Sequence, residues 1–135
     1  MEPAVRSIAA LTVAATLVVG CGPGGREDDI RSVTQGFETA IEARDGERAC
    51  ALLGADTRSK LEQEEKSPCP EAIVSLELPP AGAISDTEVF LTSAVARTSA
   101  GGSTFLDESS LGWRVSAAGC RPGPPDEPYE CVLEG

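Results

Sequence analysis

The chain has 135 residues, 41% hydrophobic and 24% charged, a globular composition large enough for one ordinary domain and too small for two. Its net charge is −11, from 11 basic and 22 acidic residues, which argues against nucleic acid as a partner and against electrostatic adhesion to anionic lipid. It has no histidine, so the commonest general base and the commonest metal ligand are both missing.

The first 21 residues read MEPAVRSIAALTVAATLVVGC. Arg6 and the N-terminal amine make a short positive region, diluted by Glu2. Ile8 to Val19 is an apolar run of signal-peptide length, too short for the ~20 residues of a membrane-spanning helix. It ends in Val18-Val19-Gly20-Cys21, which resembles the lipobox of bacterial lipoproteins, although Val18 stands where Leu is more usual. That resemblance implies cleavage after Gly20 and a thioether-linked diacylglycerol on Cys21, with two acyl chains giving stable anchorage. The competing readings are an uncleaved anchor, a secretory leader cut elsewhere, and Cys21 as one more disulfide cysteine. Glu2 and Arg6 cancel, so the remainder keeps the acidity of the whole chain. The expected division is a leader at 1–20, a flexible Gly- and Pro-containing tether at 21–29, and one domain at 30–135. A tether of that length holds a domain roughly 15 Å from its anchor.

Cys50, Cys69, Cys120 and Cys131 are an even set in a chain expected outside the cytoplasm, where disulfides persist. Three pairings are possible. The local ones, Cys50–Cys69 and Cys120–Cys131, are favoured because each closes a modest loop, worth about 3 kcal/mol on the loop-entropy model. A metal site is disfavoured by the lack of a CxxC pair and of histidine, and a catalytic thiol by the lack of an activating imidazole.

Ile30, Val33, Phe37, Ala40 and Ile41 recur in steps of three and four, predicting a helix that starts behind Asp28-Asp29 and ends near Arg44. Asp45 is placed to cap a second helix carrying Ala49, Cys50, Leu52 and Leu53. Asp56 or Thr57 is placed to cap a further turn or two through Leu61, with Glu62 to Lys66 solvated. Pro70 suits the first turn of a short helix over Glu71 to Leu76, stopped by Pro79-Pro80. From Ile84 the spacing becomes alternating, and strands are expected at 86–92, 94–98, 103–107 and 111–117. On the last of these, Leu111, Trp113, Val115 and Ala117 are expected to share the core face. Four prolines exclude regular structure from most of the tail after Cys120.

Helices followed by antiparallel strands argue α+β, with the helices packed on a curved sheet of about four strands. FETAIEARDGERACALL, PCPEAIVSL, GWRVSAAGCRP and PYECVLEG together resemble a group of small actinobacterial lipoproteins with a nuclear-transport-factor-two-like, or cystatin-like, domain. The resemblance spans nearly the whole chain after the leader. It implies a cone-shaped sheet around the helices, often with a pocket, and the same local disulfides. It implies no activity, and fold alone does not license one.

Trp113, Phe37 and Phe105 are the candidate pocket residues, although a Trp among Leu and Val on one strand face is more often core. Arg114 reads as a solvated strand residue before it reads as a carboxylate binder. Glu62, Glu64 and Glu65 lack the spacing of a calcium loop. No catalytic residue is nominated, no phosphate loop or nucleophile elbow occurs, and no cofactor or metal is expected. The leading expectation is a lipid-anchored, non-enzymatic module on the outer face of the cytoplasmic membrane, binding a small apolar ligand or an envelope protein. The alternatives are an enzyme of the same fold using a buried carboxylate, and a structural envelope protein with a filled interior.

Overall fold

The helical spacing around Phe37 forms a helix, but a longer one than the spacing predicts. In the computed structural model, which describes residues 23–135, α1 spans Pro23–Glu42. It buries Ile30, Thr34, Phe37 and Ala40 along one stripe. The segment 23–29, expected as structureless tether, is therefore helical. Proline costs nothing at a first turn whose N–H has no partner, and Arg26 ties that turn to the sheet. Gly20, Cys21 and the leader lie outside the described residues.

Three short helices follow: α2 at Gly46–Ala51, α3 at Ala55–Glu65 and α4 at Cys69–Ser75. Arg44 turns the chain with a left-handed φ of 55°, and the Asp45 carboxylate then accepts from Arg48 N at 3.1 Å, capping α2 as the sequence predicts. Gly46 lets α2 and α4 approach: a Cβ there would sit 2.1 Å from the Pro70 carbonyl oxygen. The Cys50–Cys69 disulfide joins the same two helices. α3 continues past Leu61 through the charged run, burying only Thr57 and Leu61. Neither Asp56 nor Thr57 caps it. Gly54 is its N-cap, and the Thr57 hydroxyl donates to the Ser116 carbonyl at 3.2 Å instead.

The strands are β1 Ile84–Phe90, β2 Ser93–Thr98, β3 Ser103–Ser109, β4 Gly112–Cys120 and a short β5 Leu133–Glu134. They form one antiparallel sheet in sequence order, five strands rather than the expected four. The fifth arises because the tail returns to β4, fixed by Cys120–Cys131 and by the buried Leu133. The sheet is open. The backbone at Leu53 bridges Val115 on β4, whereas among the described residues β1 pairs only with β2 and leaves its other edge free.

The last long strand departs from simple alternation. Val115 pairs with Leu106 and Ala117 with Phe105, so Ser116 is an extra residue, a β-bulge. The bulge reverses the phase: Trp113, Val115 and Ala118 join the core and the expected core residue Ala117 does not, and a second register shift follows before Cys120 pairs with Ser103. Leu111 is also displaced from the expected face; it lies in the β3–β4 turn, 76% exposed.

α1 packs across the inner face against β1, β2 and β4, with α2 to α4 beside it. Ala94, Ala96, Leu106, Trp113 and Val115 meet Ile30 and Phe37 in a single core. The proline-rich tail crosses the outer face. Arg121 and Glu130 exchange backbone hydrogen bonds, and Tyr129 meets Phe105 edge-on at 5.1 Å. No helix among the described residues is long and apolar enough to cross a membrane.

Candidate functional site

The three aromatic residues nominated for a pocket are not brought together. Phe37 is fully buried under the sheet. Trp113 is core at the far end of the helix, beneath the Arg26 guanidinium at 5.2 Å. Phe105 pairs with Val95 on β2, facing away from Leu106 and its inner-face partner Ala94, and packs on Tyr129. Trp113 pairs with Glu108, three residues along β3 from Phe105, so the two rings fall on opposite faces of the sheet, and that register is not visible in the alternation of either strand alone. All four cysteines among the described residues are consumed in disulfides, Cys50–Cys69 and Cys120–Cys131. Arg114 turns its guanidinium to the neighbouring Trp113 carbonyl at 2.8 Å. Glu62 accepts from Arg58 and from the Cys69 backbone N–H, so it serves the helix junction.

A different residue occupies the most distinctive position. Glu38 lies on α1 one turn beyond Thr34 and beside Phe37, half-buried between the helix and the sheet. The Thr104 hydroxyl on β3 donates to its carboxylate at 3.1 Å. Burial pushes the Glu38 pKa above the ordinary carboxylate value. The Thr104 hydrogen bond opposes that shift, and the nearby Glu42 carboxylate reinforces it. One turn back, the fully buried Thr34 hydroxyl has no hydrogen-bond partner among the described residues.

Glu38 faces two spaces of different size. One is a narrow recess of about 20 Å³ bounded by Phe37, Leu78, Pro79, Thr104 and Cys120, enough for about one water molecule. The other is an open groove of about 380 Å³. Arg31, Gln35, Glu38, Thr39 and Glu42 of α1 form one wall of it, and 82–84, leading into the free edge strand β1, form the other. The two carboxylates and Arg31 give the groove an acidic part and a basic part along one helix. Among the described residues no cluster of three or more acidic, cysteine or histidine side chains is arranged to hold a metal.

The sequence carried a signal for Glu38 that the apolar reading of the helix passed over. Thr34 and Glu38 stand four and eight residues after Ile30, on the stripe that Ile30 and Phe37 define. Two polar residues on a buried stripe mark a place where a core departs from simple packing. Its partner, Thr104, is 66 residues away and is placed only by the sheet register. Comparison with protein-family models, curated proteins and solved structures finds no match, so the chemistry of this site rests on its own geometry.

Proposed function

We propose that this chain is a lipoprotein held through Cys21 on the outer face of the bacterial cytoplasmic membrane, and that its folded part is a non-enzymatic binding module. The lipobox, the acidic composition and the two disulfides support that address. The cone-type family reading rests on the sequence resemblance, and the fold contributes the α+β class alone. The observation that carries the binding reading is the open groove of about 380 Å³ beside Glu38.

The interior changes which ligand fits. A recess of about 20 Å³ has no room for a small apolar molecule, so the partner belongs in the groove. Glu38 and Glu42 repel each other there, and burial of Glu38 adds to the cost of its charge. A positively charged group would relieve both penalties. The free backbone of β1 beside the groove suits an extended segment. The preferred partner is therefore a segment of an envelope protein carrying an amine or guanidinium.

Titrating the intact protein with basic and acidic peptide panels tests this. The basic peptides are expected to bind and to perturb amide signals of Gln35, Glu38 and Ala83. Glu38→Gln is expected to weaken that binding at least tenfold. Indifference to peptide charge, or an unchanged affinity in the variant, counts against the reading.

Glu38 also supports an enzymatic alternative, because a carboxyl group with a raised pKa beside a hydroxyl can carry a proton. That alternative requires turnover with a pH profile set by Glu38. The binding reading requires affinity without turnover.

A further inference from the structure

The described chain begins at Pro23, two residues after Cys21, and two residues reach no farther than about 7 Å. The first turn of α1 is fixed to one end of the sheet by Arg26. Its guanidinium donates to the Leu91 carbonyl, pairs with Glu108 at 3.0 Å and lies over Trp113. That end carries the β1–β2 and β3–β4 turns, joined by a hydrogen bond from Glu108 N to the Thr92 carbonyl at 2.7 Å. In an antiparallel meander the β2–β3 turn lies at the opposite end.

Three large apolar side chains stand out at the near end: Phe90 is 54% exposed, Leu91 87% and Leu111 76%. Leu91 also adopts φ 51°, a left-handed conformation that glycine or asparagine takes at lower cost. The fold gains almost no burial from a leucine there. Loop tips on an acidic protein are ordinarily polar, so three exposed apolar groups beside the chain's entry point call for an occupant.

We infer that these two hairpin tips dip into the interfacial layer of the bilayer to which Cys21 is anchored, giving the lipoprotein a second, apolar contact with the membrane. This rests on the lipoprotein reading above. The anchor's position selects the occupant: a lipid at Cys21 keeps the bilayer beside the tips at high effective concentration. Weak insertion of three side chains then suffices to orient the domain. The contact is apolar, because the net charge of −11 offers no attraction to anionic headgroups. It sets the sheet upright on the membrane, with the β2–β3 end directed outwards.

The test uses full-length lipidated protein in phosphatidylcholine vesicles containing brominated acyl chains. Tryptophan replaces Leu111 in one sample and Ala100, in the β2–β3 turn, in another. Flotation with the vesicles, compared with Cys21→Ser, reports the anchor independently. The expected result is flotation of the lipidated protein, at least twofold bromine quenching of the added Leu111→Trp fluorescence, and none at Ala100→Trp. Replacing Phe90 and Leu91 with serine in the Leu111→Trp background is expected to reduce that quenching at least twofold. These residues are exposed, so folding survives. Flotation without quenching at Leu111→Trp overturns the inference and leaves the anchor standing. Failure to float, with Cys21 unmodified, removes the anchor and the inference together. Shielding of the tips that follows protein concentration in the absence of vesicles assigns them to another copy of this chain and also overturns it.

Discussion

Glu38 enters the native state at a cost. Burial raises its pKa above the ordinary value of 4.5, so from about that value upwards the folded protein holds protons that the unfolded chain has released. Stability therefore falls as pH rises through that window, and the penalty is fully present above the folded pKa. Glu38→Gln keeps an acceptor for Thr104 and removes the charge. It is expected to melt at a higher temperature than the parent at neutral pH, the difference shrinking towards pH 4.5. Melting curves from pH 4 to 8 check this, and a pH-independent difference would contradict it. Gly46 makes a second prediction. A Cβ 2.1 Å from the Pro70 oxygen forces α2 and α4 apart, so Gly46→Ala is expected to cost roughly 2 kcal/mol or more in denaturant titration. Neither residue was nominated from sequence. Each is defined by an atom far along the chain, Thr104 for Glu38 and Pro70 for Gly46, and sequence spacing describes only near neighbours.

Helices and strands were legible wherever one face meets one core. The apolar steps placed α1 along Ile30 to Ile41, and Asp45 marked the start of α2 through its own side chain. Their limits were less legible because tertiary contacts set them. Arg26, bound to Glu108 and Leu91, keeps residues 23–29 helical despite Gly24 and Gly25. Ser116 shifts the phase of β4, and β5 forms where the Cys120–Cys131 link and the burial of Leu133 return the tail to β4. Arg26→Ala is expected to increase hydrogen exchange in the first two turns of α1, with a stability loss of about 1 kcal/mol. Removing the Cys50–Cys69 link by double Ser substitution is expected to cost about 3 kcal/mol. The corresponding change at Cys120 and Cys131 is expected to expose β5 and the Tyr129 contact to exchange before the rest of the sheet melts. An undisturbed tail in that variant would contradict the role given to the second disulfide.

At the level of the whole molecule, the order of elements gave the α+β class, because helical spacing ends at Ser75 and alternation begins near Ile84. The pocket was not legible. Phe37, Trp113 and Phe105 look equivalent as apolar residues, yet the sheet places them in the core and on its outer face. The recess beside Phe37 holds only about 20 Å³, so the proposed recognition falls to the groove beside Glu38. The apolar tips at the opposite end of α1 would then hold that groove at a fixed orientation above a membrane. This arrangement depends on the lipid at Cys21. Intact-mass analysis of protein extracted from native membranes under non-reducing conditions, with Cys21→Ser in parallel, tests it directly. The account predicts the mass of residues 21–135 carrying at least a diacylglyceryl group and lacking four hydrogens, with the lipid absent from the variant. A retained leader, an unmodified Cys21 or free thiols at the other four cysteines would contradict it.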